Sequence, residues 1–84
     1  MLNLKLDSSA QKFTKQVENL ISLVNVKLCD DGILLSATQG NDGLTVTKEG
    51  NSASITYQKE CEFFRGILTL MENENKASFS IHEF

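Results

Sequence analysis

One histidine, two cysteines and a few clustered carboxylates are the side chains of this 84-residue sequence that could do chemistry. His82 could act as a general base or a metal ligand, but either role needs convergent partners. It falls on the outward phase of the last alternating stretch, which fits a surface or interface histidine. Cys29 and Cys61 lie far apart and form neither a C-x-x-C pair nor a zinc spacing. They read as reduced thiols that pack as small hydrophobes; a disulfide between them stays open. Asp30-Asp31-Gly32 and Asn41-Asp42-Gly43 offer oxygen ligands of the kind calcium takes. Neither continues into the calcium-loop pattern with its closing Glu, and turn chemistry accounts for both. Glu60 and Glu62 fall in the first turn of a predicted helix, where its dipole favours them. No phosphate-cradling glycine loop and no nucleophile elbow occurs in the sequence. No residue is therefore assigned a catalytic, cofactor-binding or metal-binding role, and no cofactor is expected.

Composition bounds what could position such groups. The chain is 40% hydrophobic and 23% charged, with five Gly and no Pro, which excludes disorder, collagen and low complexity. Residues 1–84 read as a single domain with one modest core, too short for a catalytic barrel. Eight basic and eleven acidic residues give a net charge of -3, which argues against nucleic acid or an anionic membrane as partner. The N-terminus lacks a basic leader and a cleavage site. No apolar run approaches the roughly 20 residues of a membrane span. A cytoplasmic location is the default expectation.

Periodicity supplies the elements. Leu2, Leu4 and Leu6 alternate with Asn3 and Lys5, as in a half-buried strand. Ser8 and Gln11 fit a capping box, and an apolar stripe from Ala10 to Val24 predicts a helix over 8–22. A short extended segment over 24–28 follows, then a turn at Asp30-Asp31-Gly32 and a strand over 33–37. Residues 44–57 form a predicted hairpin around Glu49-Gly50-Asn51. One of its faces is apolar; the other is Thr45, Thr47, Ser54 and Thr56. That hydroxyl face fits a solvated or polar contact surface, with an ice or sugar surface as the rarer use. Phe63, Phe64, Ile67, Leu68 and Met71 predict a second helix over 59–73. Gly66 inside it costs about 1 kcal/mol relative to Ala, which points to close helix–sheet packing. Ala77, Phe79 and Ile81 alternate in a final strand.

The expected fold is α+β, in the order β-α-β-β-β-α-β. It is a two-layer sandwich, with one mostly antiparallel sheet of four to five strands and two helices on one face. Phe64→Ala or Ile67→Ala should each cost about 2–5 kcal/mol if the second helix is core. The element order loosely echoes the RNA recognition motif. That module needs strand aromatics and a basic Arg-Gly run on a strand; Arg65-Gly66 falls in a predicted helix instead.

Two stretches carry a family resemblance. One is Gly40-Asn41-Asp42-Gly43-Leu44-Thr45-Val46 with the hairpin to Ser54-Ile55-Thr56-Tyr57. The other is Glu62-Phe63-Phe64-Arg65-Gly66-Ile67-Leu68-Thr69-Leu70. Together they resemble the N-terminal non-catalytic domain of family 20 glycoside hydrolases, the β-N-acetylhexosaminidases. The wording from Tyr57 to Arg65 is most like that of bacterial members. The resemblance spans residues 33–71, and the remainder in pattern only.

It implies an α+β accessory layer whose parent enzyme acts in carbohydrate metabolism. The family's catalytic Asp-Glu pair would lie in a following TIM barrel, beginning about where this sequence ends at Phe84. The implied partner is that barrel, and no residue here matches the catalytic pair. Two other readings compete. One is a stand-alone protein–protein interaction module, a homodimer through a sheet edge. The other is a small enzyme whose site would assemble His82, Cys29 or Cys61 with carboxylates across subunits.

Overall fold

Alternating burial builds the first strand, β1 (Leu2–Leu6), with its three leucines inward and Asn3 and Lys5 exposed. The computed structural model describes residues 2–21, 26–41 and 43–83. Positions 22–25 therefore lie outside the described residues, with the end of the predicted first helix and the start of the extended segment. Asp42 lies outside them too.

The first helical segment starts later than the predicted residue 8. A 3-10 turn (Gln11–Phe13) leads into α1 (Thr14–Ile21). Asp7 opens it, in place of the expected Ser8 capping box. The Asp7 carboxylate accepts the backbone N–H of Ser9 at 2.8 Å and of Ala10 at 3.2 Å. The Gln11 amide donates back to the Leu6 carbonyl at 2.7 Å. A carboxylate is the stronger acceptor, and its charge suits a helix start.

Then follow β2 (Val26–Leu28), β3 (Ile33–Gln39), β4 (Leu44–Glu49), β5 (Ser52–Tyr57), α2 (Cys61–Glu72) and β6 (Ser78–Glu83). The fold is α+β, as expected. The sheet is wider than expected, with six strands in the order β2-β1-β3-β5-β4-β6. It is also mixed rather than mostly antiparallel. β1–β2, β1–β3 and β3–β5 pair in parallel, while β4 runs antiparallel to β5 and β6.

One connection accounts for β2 and β3 running the same way on either side of β1. Asp30-Asp31-Gly32 does not reverse the chain. β2 ends level with Leu4 on one side of β1, and β3 begins level with Leu4 on the other. The chain thus crosses β1 and continues in the same direction. Cys29 N–H donates to the Leu4 carbonyl at 2.9 Å as the crossing begins. The β4–β5 hairpin forms as predicted, with Gly50 in the turn at φ 59.

Register sorts the side chains into two faces. Leu6, Leu35, Ala53, Lys48 and Phe79 form one row on the covered side. Ala37, Ile55, Val46 and Ile81 form the next. α2 lies over β4 and β5, and α1 over β2. Gly66 has the expected packing reason, because an added Cβ would meet three Ile55 side-chain atoms at 2.8–3.0 Å. The helices meet through Phe13 and Phe63, whose rings stack at 4.0 Å and 7°.

Lys48 is the one buried charged side chain among the described residues, 6% exposed. Its stem lies between Ala53 and Phe79 in the apolar row. Its ammonium donates to the backbone carbonyls of Glu74 at 3.2 Å and Lys76 at 2.8 Å. The charge thus leaves the core and ties down the connection between α2 and β6. Lys48→Ala should lower stability by about 2 kcal/mol through loss of these bonds and the buried stem. Urea unfolding would check this, and an unchanged midpoint would contradict the clamp.

Candidate functional site

The helices cover the apolar side of the sheet over β2, β4 and β5, which leaves the open side and the edges as surfaces for other molecules. On the open side the hairpin hydroxyls join those of neighbouring strands. Ser36, Ser54, Thr47 and Ser80 stand in one transverse row across β3, β5, β4 and β6. Thr38, Thr56, Thr45 and His82 stand in the next. The hydroxyl face legible on the hairpin therefore extends over four strands. Leu34 lies at its border and is the exposed large hydrophobic of the described residues, at 44%.

These hydroxyls are hydrogen-bonding groups, each able to donate and to accept. They suit contact with a polar surface. His82 is exposed on this face, and its Nδ1 is hydrogen-bonded to the Thr45 hydroxyl. The strand phase thus places His82 as the sequence predicts.

The other chemistry-bearing residues are dispersed. Cys29 follows β2 at one edge of the sheet, and His82 lies in β6 at the opposite edge. Cys61 begins α2 and is exposed. Both cysteines are free thiols. Partial burial, then the neighbouring Asp31 carboxylate, push the Cys29 thiol above its ordinary pKa. That keeps it protonated and a poorer nucleophile. It lies in an open groove of about 250 Å³ beside β1, with Lys5, Leu6, Gln11, Thr14 and Leu28. No cluster of three or more His, Cys, Asp or Glu able to hold a metal ion occurs among the described residues.

Glu60 and Glu62 are explained by the start of α2. Glu60 pairs with Lys12 at 2.9 Å on the surface. The Lys12 ammonium also lies 5.2 Å from the centre of the Phe13 ring and 5.8 Å from that of Tyr57. Its pKa is raised, chiefly by Glu60 and then by Tyr57. Glu62 turns back to accept the backbone N–H groups of Gln58 at 2.7 Å and Lys59 at 2.9 Å. Those bonds, Lys59 first, hold its carboxyl below the ordinary glutamate pKa.

A depressed folded-state pKa gives stability above the unfolded value, lost as pH falls through the folded one. Glu62→Gln should therefore weaken the fold at neutral pH, and the deficit should shrink as pH drops below the ordinary glutamate range. Unfolding measured from pH 7 down to 3 checks this. A deficit independent of pH would contradict it.

No helix among the described residues is long and apolar enough to cross a membrane. Comparison with known proteins finds no family model that matches the chain, and no characterised protein that matches it.

Proposed function

We propose that this chain is the non-catalytic N-terminal accessory domain of a β-N-acetylhexosaminidase-like glycoside hydrolase. Its role is to pack against and stabilise a catalytic TIM barrel carried elsewhere in the parent protein. One observation carries the reading. The two stretches that resemble the family are joined in space. The first forms β4, its turn and β5; the second forms α2. α2 lies over that hairpin, and Gly66 of the second stretch seats directly on Ile55 of the first. The resemblance therefore covers a single packed unit, with the remaining strands extending its sheet.

On this reading substrate chemistry belongs to the barrel, and this domain contributes surface. The free thiols Cys29 and Cys61 agree with a reducing compartment and so with a cytoplasmic parent. Sequencing the gene downstream of codon 84 tests the proposal. An uninterrupted frame running into a barrel with an adjacent Asp-Glu pair is expected. A stop codon there would overturn it. Purified alone, the chain should not cleave a chromogenic N-acetylglucosaminide, and turnover that survives rigorous purification would also overturn the reading.

A further inference from the structure

The two edges of the sheet differ. β2 spans three of the described residues, Val26–Leu28, and carries Lys27, a charge that blunts an edge against further pairing. β6 is six residues long and pairs with β4 in an unbroken register from Ser78 to Glu83. It contains no Pro, Lys or Arg and no bulge. Its outer side therefore presents a regular row of backbone donors and acceptors, the arrangement that templates another strand.

The apolar side of the same strand is incompletely covered. α2 lies over β4 and β5, one and two strands inward. Phe79 and Ile81 remain half-buried. A strand added at this edge would meet both an open ladder and a flank of apolar side chains.

We propose that the added strand is β6 of a second copy, paired antiparallel about a two-fold axis through Ser80. The pattern of β6 selects this partner and this register. A two-fold axis normal to a sheet pairs each residue with one on the same face, so both helix layers lie on one side. Centred on Ser80, it sets Phe79 against Ile81 of the second copy and Ile81 against its Phe79. On the open face Ser80 meets Ser80, and Ser78 meets His82. Apolar groups thus meet apolar groups, hydroxyls meet polar groups, and no two like charges lie opposite. A shift centred on Ile81 would set Phe79 against Glu83. A shift centred on Phe79 would pair only Ser78, Phe79 and Ser80 within the strand. The Ser80 centre gives the longest matched stretch, Ser78 to His82, and leaves Glu83 opposite Ala77 just beyond the strand. The product is one continuous sheet of twelve strands, two copies of the six in each chain. This interface does not depend on the hydrolase reading.

A single shared ladder is a small contact, so the dimer is expected to be weak, with Kd about 0.1–1 mM. Sedimentation velocity of the 84-residue chain, from about 10 µM to 1 mM, should show reversible monomer–dimer exchange. Ser80 is exposed, so its replacement leaves the core untouched. Ser80→Lys and Ser80→Glu each set like charges face to face at the axis. Each should weaken self-association by at least about fivefold, with the thermal melt unchanged. An equimolar mixture of the two should restore association. A wild-type chain that stays monomeric to 1 mM would overturn the proposal and leave the edge to a different strand. So would a dimer that both variants leave intact, because its interface would lie elsewhere.

Discussion

Phe63→Ala should remove about 4 kcal/mol of stability, enough to leave the domain barely folded at 25 °C. Phe63 is fully buried and stacks face to face on Phe13 at 4.0 Å. Tyr57 of β5 stands edge-on to both rings, at 5.5 Å from Phe13 and 6.4 Å from Phe63. This cluster is where the 3-10 turn before α1, the helix α2 and the strand β5 converge. Removing its central ring opens a cavity lined by aromatic faces, which cannot collapse without shifting an element.

Phe64 provides the internal comparison. It is half-buried and meets Phe13 and Phe63 edge-on at 6.3 and 5.8 Å. The sequence stripe treats the two phenylalanines alike, but Phe64→Ala should cost about half as much as Phe63→Ala. Ile67→Ala belongs with Phe63, since Ile67 is completely buried. Urea unfolding of the three variants should rank Phe63 and Ile67 well above Phe64. Equal losses at Phe63 and Phe64 would contradict the stacked arrangement.

The residues explain why some of this was legible in the sequence. Period-two alternation reports which side chains share a face, so the inward leucines of β1 and the hydroxyls of the hairpin were readable directly. Gly50-Asn51 is a local signal, and it places a local structure correctly. Alternation says nothing of which strands are neighbours or which way they run. β3 pairs with β5 rather than β4, a choice made by long-range packing. The hydroxyl face was therefore visible on two strands, and its continuation through Ser36, Thr38 and Ser80 required the register. Lys48 is legible in the same way. It holds the inward phase after Leu44 and Val46, and a lysine in that phase implies a long side chain seeking acceptors beyond the core.

Gly32→Ala tests the feature that the sequence concealed most. Read as a turn residue, Gly32 would be valued for backbone freedom. Its φ is not positive, so freedom is not its reason. It sits where the chain crosses β1, and an added Cβ would lie 2.8 Å from the backbone carbons of Asn3 and Leu4 and from the Leu4 nitrogen. Those atoms cannot rotate away, because β1 is hydrogen-bonded to β2 on one side and β3 on the other. The alanine must therefore push the crossing off the sheet or break one of the two ladders. The expected cost is about 3 kcal/mol, at the upper end for overpacking. Gly66→Ala makes an equally close contact, but with the Ile55 side chain, which can shift its rotamer. The helix also regains about 1 kcal/mol from alanine there. Gly66→Ala should thus be the milder of the two by 1 kcal/mol or more, about the helix term alone. Denaturant unfolding of both variants decides the matter. If Gly32→Ala unfolds with the wild type, the chain does not press on β1 at the crossing.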